Sequence, residues 1–371
     1  MSKSLPPARD EFEVSVFGPG LGECIVVHLG DNEWCVVDSF ISRGASESIA
    51  AQYLRGFDND ALNRIRLIVA THWHDDHIRG LSQLVKLVPQ ASFACSDALN
   101  SSQFLTLAAA FSGPFSRSSG TDELGKILGA AEPAIAARPS KMKSPMWAGE
   151  NRHLLTLPAV PGVRSHPVKI VALSPSDRTK MLALQEFANL TPSVGTSVRR
   201  LGRGGENHAS VAIWIDTGNE YLILGADLEH VDDHQRGWRA VLNSHDSHRT
   251  NQRASFIKVP HHGSITGDAP EVWARMLVTN PVAVVTGYTP SRLPKPSDLK
   301  RLAQRTDRLF HTTIASTRTP ARDPSVEKMM KMFSKDRKAL IGRAGQVRMR
   351  WKPQAQFEPV IETFDGAAQF T

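Results

Sequence analysis

A cluster of histidines and aspartates directly after an apolar run constrains this chain more than any other part of its sequence. Residues 65–70 form a short apolar run that is typical of a buried β-strand. In the extended segment that follows, His72 and His74 lie two positions apart, so their side chains are expected to point the same way. Asp76 and His77 come where a helix can begin and face a second ion. Imidazole and carboxylate are ligands that divalent ions such as zinc accept, so these four residues are predicted to bind metal rather than to form a surface cluster or a buried polar network.

Strand and helix patterns alternate in both halves of the chain. Apolar patterning predicts strands at residues 11–17, 24–29, 34–38, 65–70, 168–173, 210–215, 221–224, 256–259 and 282–286. It predicts helices at residues 46–55, 81–87, 121–131, 270–278, 296–304 and 325–333. This order predicts an α/β protein with one continuous domain over residues 1–371, whose core extends from about residue 12 to about residue 352. Residues 97–167 are rich in alanine, serine, glycine and proline and are interpreted as an insertion that serves as a lid or a flexible cover.

The composition excludes a disulfide scaffold and limits where the protein can work. Only three cysteines occur (Cys24, Cys35 and Cys95), and their spacing is not paired, which favours a reducing compartment. The longest apolar runs are too short to cross a bilayer, and the first ten residues lack the apolar segment of a signal peptide. We therefore expect a soluble cytoplasmic protein that does not bind a membrane. The net charge of +7 favours a polyanionic partner such as nucleic acid, although a solvated basic surface gives the same balance.

The histidine motif is also the one that identifies the metallo-β-lactamase superfamily, and the chain resembles that superfamily at all four predicted ligands. The resemblance implies a four-layer αββα sandwich, with residues 97–167 inserted between the motif and a later aspartate that bridges two metal ions. It implies two zinc ions as the cofactor, with manganese as the alternative. Asp227 follows the hydrophobic residues 221–224, and the resemblance assigns it to the bridge, although Ala226 separates it from Gly225. An aspartate that caps the next helix is the alternative.

Two adjacent histidines after the strand predicted at residues 256–259 are similar to the last metal ligand of the superfamily. One of His261 and His262 is expected to bind metal, and the other to support a ligand or to contact the substrate. The sequence does not choose between them. His208 lies in the region where most members carry a further histidine, so it is a candidate ligand of the first metal ion. An arrangement built on the neighbouring Asn207 would leave His208 out.

Three blocks of the chain are similar to the ComEC competence group within this superfamily. They are residues 259–264, residues 206–211, and the turn at residues 20–24 that leads to residues 36–38. In that group the hydrolase domain is thought to degrade DNA. The similarity covers most of the chain, but only these blocks are specific. The membrane channel that accompanies the domain in ComEC is missing, so the resemblance implies a free-standing relative rather than a DNA-uptake pore.

Several polar residues outside the motif are candidates for binding substrate or supporting ligands. Lys295 stands where the ComEC group tends to have a histidine, and a protonated lysine binds a phosphate oxygen rather than zinc, with plain surface charge as the alternative. Asn207 and Ser264 lie in the similar blocks and are expected to contact substrate. Asp38 ends a strand where the superfamily orients its histidine loop, so it is expected to hydrogen-bond the metal ligands. A turn aspartate is the alternative for Asp38.

Basic residues cluster in two places. Arg199 and Arg200, with Arg203 close by, precede the Asn207 loop and are expected to guide a phosphate backbone. The second cluster, at residues 328–350, includes an amphipathic helix, a pattern that more often reflects core packing. Aromatic residues make up 7% of the chain without an interleaved stripe, so binding of single strands by stacking is not indicated.

Together these features predict a metal-dependent hydrolase, specifically a phosphodiesterase or nuclease in which two metal ions activate water. Catalysis is predicted to depend most on His74, Asp76 and Asp227. The first alternative is hydrolysis of a small molecule, such as a lactone, a thioester or a choline phosphoester, because the same metal site supports all of these. The second alternative is a partner-activated effector or scaffold subunit of a multi-protein defence system.

Overall fold

Two mixed β-sheets lie face to face in the part of the chain that the structure describes. The computed structural model describes residues 5–42, 44–58, 60–100, 119–128, 145–190, 206–244, 252–313, 325, 329, 344–353 and 357–371. In order across the first sheet, the strands are Val360–Phe364 (β15), Gly345–Trp351 (β14), Phe12–Gly18 (β1), Cys24–His28 (β2), Trp34–Val37 (β3), Ile65–Ala70 (β4), Ser92–Ser96 (β5) and Met146–Ala148 (β6). Across the second sheet they are Ala368–Gln369 (β16), Leu309–His311 (β13), Leu277–Val285 (β12), Ala254–Lys258 (β11), Tyr221–Leu224 (β10), Ile213–Asp216 (β9), Val168–Ala172 (β8) and Arg152–Leu157 (β7).

Helices cover the outer face of each sheet. They are Ile49–Arg55 (α1), Asp75–Ile78 (α2), Leu81–Leu87 (α3), Ser119–Leu128 (α4), Asp177–Leu190 (α5), Gly237–Asn243 (α6), Pro270–Met276 (α7) and Pro296–Ala303 (α8). Short 3-10 helices lie at Ala61–Arg64, Asp97–Leu99, Glu206–Ala209, His261–Gly263, Ile265–Gly267 and Thr289–Ser291.

Alternation along the central strands builds three apolar layers. In β2, Ile25 and Val27 pack between the two sheets, whereas Cys24 and Val26 pack against the helices on the first sheet. The second sheet does the same with its own helices, where Trp238 of α6 is fully buried. Strands buried on both faces carry apolar residues at nearly every position, which is why these segments read as apolar runs in the sequence. The predicted α/β sandwich with αββα layers is confirmed.

Most predicted elements occur in the structure with shifts of a few residues at their ends, and the main differences lie at the sheet edges. Residues 146–157, inside the predicted insertion, contribute edge strands β6 and β7 to the two sheets. The strands β5, β13, β14, β15 and β16 and the helices α5 and α6 were also not predicted, and the shortest of them have too few residues to show apolar periodicity. Of the helix predicted at residues 325–333, only Ser325 and Met329 are described, so this prediction lies outside the described residues.

Among the described helices, none has both the length and the apolar character needed to cross a membrane.

Parallel pairing within each sheet brings strand ends together. In the first sheet β3 and β4 are parallel, and in the second sheet β10, β11 and β12 are parallel. The carboxyl ends of parallel strands meet at one edge of a sheet, where side chains of the following loops converge. The loops after these five strands carry nearly all of the predicted metal ligands.

His28 gives the fold a specific sensitivity to acid. Its side chain is fully buried in β2, where Nδ1 donates a hydrogen bond to the backbone oxygen of Glu11 at 2.7 Å. Burial lowers the pKa of His28 from 6.5 to about 4. Between these two pKa values His28 binds a proton in the unfolded chain but not in the folded chain. The free energy of unfolding therefore decreases as the pH falls from about 6.5 to about 4.

We expect His28→Gln to remove this part of the pH dependence, because its amide can still donate to Glu11 but does not titrate. The histidine accounts for at most about 3 kcal/mol of the loss between the two pKa values. Urea unfolding of both proteins at about pH 7.5 and about pH 4.5 measures the difference. Equal losses of unfolding free energy in the two proteins would contradict this role.

Candidate metal centre

Two groups of potential ligands meet at the carboxyl ends of the strands and share one aspartate. The first group is His72, His74 and Asp227, and the second contains His77, His262 and Asp227 together with Glu23. Within each group the ligand atoms lie within 4.8 Å of one another. A shared carboxylate between two ligand sets is the arrangement that places two metal ions side by side.

The first group is formed by the segment after β4. His72 Nε2 lies 2.9 Å from His74 Nδ1, so both imidazoles aim a nitrogen at one point. The extended backbone predicted for this segment explains the common direction, because α2 begins only at Asp75. His72 is fully buried, and burial lowers its pKa well below the ordinary value, which keeps the ring neutral.

The second group combines residues from both sheets. His262 Nε2 lies 3.3 Å from Asp76 Oδ2 and 3.6 Å from Asp227 Oδ2. His77 Nε2 lies 3.7 Å from Asp76 Oδ2 and 3.5 Å from Asp227 Oδ1. Asp76 and His77 therefore face the same point as His262, as the predicted turn into a helix requires.

Asp38 holds histidines of both ligand groups in place through hydrogen bonds. It accepts hydrogen bonds from the backbone nitrogen and the hydroxyl of Thr71, each at 2.8 Å, and from His77 Nδ1 at 2.7 Å. The Thr71 hydroxyl gives its proton to Asp38, so its oxygen accepts from His72 Nδ1 at 3.0 Å. Both histidines are thereby held in the form that leaves Nε2 free for a metal ion. This contact is the one expected of Asp38 from its place at the end of β3.

A buried network that the sequence did not predict lies behind His262. Glu23 and Lys258 are fully buried and form an ion pair of 2.6 Å. Thr286 donates to the same Glu23 oxygen at 2.6 Å and also contacts His262 Nδ1 at 3.1 Å. In the sequence, Lys258 stands inside an apolar strand and Glu23 inside a glycine-rich turn. Neither feature indicates which residue the side chain contacts.

The residues fit a pair of divalent cations. His77 Nε2, His262 Nε2 and Asp227 Oδ1 are buried and have no hydrogen-bond partner. Buried polar atoms are normally paired, so these atoms require a further partner that accepts their lone pairs. Four buried carboxylates surround the site with one buried lysine, which leaves three negative charges uncompensated when the histidines are neutral; the carboxylates belong to Glu23, Asp38, Asp76 and Asp227.

The charges in the cluster are strongly coupled when no metal is bound. Burial alone would make the charged form of His77 less favourable, but the carboxylates of Asp227, Glu23, Asp76 and Asp38 raise its pKa well above the ordinary value. Burial opposes ionisation of Asp227, yet the neighbouring His262 and His77 hold its pKa well below the usual range. A proton on His77 therefore stands where a cation is needed, and metal binding must displace it.

Strained backbone accompanies the ligands. Ala226, His261 and His262 have φ angles of 46°, 46° and 52°, a region that residues with side chains rarely adopt. Asp38 has a φ of 60°. Such conformations persist only where the surrounding structure enforces them, and they concentrate at functional sites.

The structure separates the two adjacent histidines. His262 belongs to the second ligand group, whereas His261 Nδ1 lies 3.0 Å from Glu229 Oε1 and its Nε2 lies 3.1 Å from Asn207 Nδ2. His208 is in neither group, and its Nδ1 lies 3.6 Å from Glu229 Oε2. His208 and His261, which were both candidate ligands, therefore lie in a separate polar cluster around Glu229.

We expect His262→Ala and His261→Ala to differ in metal content. His262→Ala removes a nitrogen from the second group and should lower the number of divalent ions bound per chain. His261→Ala leaves both groups intact and should bind as many ions as the native chain, so it is the matched control. Mass spectrometry of metal content after dialysis measures this, and equal loss in both variants would contradict the assignment.

Of the candidate substrate residues, the structure describes Asn207, Ser264 and Lys295. Ser264 is half-buried in the loop after His262, and its hydroxyl lies 3.3 Å from that of Thr266. Lys295 is exposed at the start of α8. The residue before it, Pro294, lies close to Gly263, because a Cβ added to Gly263 would be 3.5 Å from the Cβ of Pro294. Arg199, Arg200 and Arg203 lie outside the described residues.

Comparison with known proteins agrees with the fold and with part of the site. Residues 17–116 match the family model of the metallo-beta-lactamase superfamily, a region that includes Asp38 and the histidine motif. The resemblance to this superfamily is confirmed over these residues, and the chain has the metallo-β-lactamase fold. The match indicates a metal-dependent hydrolase. No curated protein matches the chain.

Several solved structures are similar to the chain at low identity. The metallo-beta-lactamase fold protein YhfI from Bacillus subtilis is 12% identical, covering 60% of this chain and 65% of its own, with a TM-score of 0.32. The subclass B3 metallo-beta-lactamase MEM-A1 from a soil metagenome library is 14% identical, covering 70% and 83%, with a TM-score of 0.33. A mutant of the beta-hydroxylase CmlA is 12% identical, covering 82% of this chain and 46% of its own, with a TM-score of 0.38.

Proposed function

We propose that the chain is a dinuclear metallohydrolase that cleaves phosphodiester bonds, with nucleic acid as its substrate, and that it is related to the ComEC hydrolase domain. The observation that carries the proposal is the pair of ligand groups that share the buried Asp227. Stable esters such as phosphodiesters are the bonds for which a pair of metal ions is commonly used.

Each of the two ligand groups is assigned to one metal ion. His72, His74 and Asp227 would hold one ion, and Asp76, His77, His262 and Asp227 would hold the other. Two zinc ions, or manganese ions as the alternative, would supply an activated water and neutralise charge on the phosphoryl oxygens. Asp38 keeps His72 and His77 in the ligating form and orientation. His74, Asp76 and Asp227 are accordingly the residues whose loss affects hydrolysis most.

Charge balance favours a singly charged anionic substrate. Two divalent cations would offset the three uncompensated buried charges and leave one positive charge at the centre. A phosphodiester carries one negative charge, so it would be attracted to this centre and to the basic surface of a chain with net charge +7. Lys295 at the start of α8 and the amide of Asn207 beside His261 are proposed to contact the substrate phosphate or its flanking groups. Ser264 is proposed to do so from the adjoining loop.

Metal analysis combined with a cleavage assay tests this function. Purified protein is analysed for metals by mass spectrometry and is incubated with single- and double-stranded DNA and RNA, with Asp76→Ala as the inactive control. About two zinc or manganese ions per chain, with metal-dependent cutting absent from the control, is the expected result. Two ions without cutting of any nucleic acid, but with hydrolysis of a lactone, thioester or choline phosphoester, would replace the substrate class. Cutting that requires added partner proteins would instead favour an effector that partners activate.

The arginines before Asn207 should affect substrate capture in a salt-dependent way. We expect Arg199→Glu with Arg200→Glu to raise the Michaelis constant for nucleic acid at low salt, because two phosphate contacts become repulsive. The matched control is Arg64→Glu with Arg66→Glu, which changes the same charge at the opposite, amino end of β4. Steady-state kinetics across salt concentrations measure the effect. A Michaelis constant that follows the control at every salt concentration would show that the arginines do not guide substrate.

A further inference from the structure

Two threonines occupy equivalent places on opposite sheets of the metal centre. Thr71 directly follows β4 in the first sheet, and Thr286 directly follows β12 in the second. Each hydroxyl donates to a buried carboxylate, Asp38 at 2.8 Å or Glu23 at 2.6 Å. Each threonine oxygen also lies near the Nδ1 atom of a histidine in one of the ligand groups. The chain therefore contains two carboxylate–threonine–histidine relays.

The hydrogen bonds of the second relay determine whether Nδ1 of His262 donates or accepts. A carboxylate only accepts, so Thr286 must donate its single proton to Glu23. The remaining contact, 3.1 Å between the Thr286 oxygen and His262 Nδ1, is then satisfied only if the imidazole donates. His262 Nδ1 consequently carries a proton, so the neutral imidazole has its lone pair on Nε2, the atom that faces Asp76 and Asp227.

Lys258 anchors the carboxylate end of this relay. Its ammonium group contacts Glu23 Oε2 at 2.6 Å and donates to the backbone oxygen of Ala226 at 3.0 Å. A fully buried lysine is rare and needs a strong partner. Because Ala226 precedes Asp227, the same ammonium group that fixes Glu23 also fixes the backbone next to the shared aspartate.

The contacts of Glu23 argue against direct binding to metal. Its carboxylate lies within 4.8 Å of ligand atoms in the second group, which alone would allow ligation. However, Oε2 already accepts from Lys258 and Thr286, and Oε1, which is buried without a hydrogen-bond partner, lies 3.8 Å from His77 Nδ1 rather than Nε2. That nitrogen is on the side of His77 that faces Asp38, away from the ligand point. Glu23 thus sits behind the histidines, as Asp38 does.

We propose that Glu23, held by Lys258, is a positioning residue that acts through Thr286 to keep His262 in the metal-binding tautomer. The proposal rests on the proposed metal centre and adds to it a second supporting carboxylate for the half of the site built by the second sheet. Loss of such an outer contact typically lowers metal affinity by about 10- to 100-fold.

Thr286→Val tests the relay, because valine keeps the volume of threonine but cannot pass the hydrogen bond. Thr312→Val is the matched control, since Thr312 is equally buried and its hydroxyl has no hydrogen-bond partner. Zinc affinity is measured for the full chain by competition with a chromophoric chelator, and cobalt-substituted protein gives a visible spectrum of the site. Thr286→Val should bind one of the two ions about 10- to 100-fold more weakly, with an altered cobalt spectrum. Thr286→Ser should restore native affinity, and Thr312→Val should not change it.

Native affinity for both ions in Thr286→Val, or no rescue by Thr286→Ser, would overturn the relay. If Thr286→Val does not fold, Glu23→Asp replaces it, because the shorter carboxylate keeps its charge but withdraws from Thr286; native affinity there would equally overturn the proposal. A native chain that binds no divalent ion would instead refute the metal centre itself. The two failures are therefore distinguishable, and neither depends on which substrate is cleaved.

Discussion

Asp227→Asn is expected to reduce hydrolysis to background and to weaken metal binding in both ligand groups at once. Asp227 is the one residue that the two groups share, and its Oδ1 and Oδ2 atoms face His77 and His262 respectively. An amide keeps the shape of the carboxylate but removes the charge that offsets the cations. The affinity loss should exceed the roughly 100-fold that follows from losing an outer contact, because a direct ligand to both ions is affected.

Asp216→Asn is the matched control for this variant. Asp216 lies at the far end of the β9–β10 hairpin, where its side chain only accepts a bond of 2.7 Å from Gly218. Metal titration and turnover measured side by side should show native values for Asp216→Asn. Two ions bound with native affinity by Asp227→Asn would refute the shared aspartate, and loss confined to one ion would assign it to a single group.

Lys258→Met is expected to lower the free energy of unfolding by about 3–5 kcal/mol, the usual cost of leaving a buried charge without its partner. Glu23 is fully buried, and the ammonium group of Lys258 lies 2.6 Å from its carboxylate, closer than His77 Nδ1 at 3.8 Å. The loss should therefore come from the glutamate that remains rather than from the lysine that is removed. Urea unfolding of metal-saturated protein measures it.

Glu23→Gln combined with Lys258→Met separates this explanation from a loss of packing. The double variant has no unpaired charge at this position, so most of the stability should return. The single variant Glu23→Gln leaves the lysine with the backbone oxygen of Ala226 and a longer contact of 3.9 Å to Asp227, so it should also be destabilised. A double variant whose loss equals the sum of the two single losses would show that the pair is not coupled.

The sequence predicted the residues that share a segment better than those that meet across the fold. His72, His74, Asp76 and His77 are neighbours on one strand end, so period and spacing were enough to place them together. The choice between His261 and His262 depends on left-handed backbone at both residues, which nothing in the sequence specifies. Likewise, Thr286 and Glu23 are 263 positions apart, and they meet because β2 begins close to the place where β12 ends.

Several elements escaped prediction because their sequence pattern is short or weak. The strands β13 and β16 have three and two residues, too few to show any period. The helix α5 has fourteen residues but mixes polar and apolar positions around its surface, so its pattern is weak. The αββα layer architecture was predictable because it depends on long buried strands such as β1 and β12. The strands that complete each sheet form by pairing with neighbours that are distant in the sequence.

The ligands come from both sheets, so an ion bound among them works as a cross-link between the two halves of the sandwich. His72 and His77 follow β4 of the first sheet, whereas Asp227 and His262 follow β10 and β11 of the second. Since the unfolded chain has no such site, each tenfold rise in free ion above the dissociation constant adds about 1.4 kcal/mol to the folded state. The supply of free ion thus contributes to the stability of the folded chain as well as to the chemistry of the site.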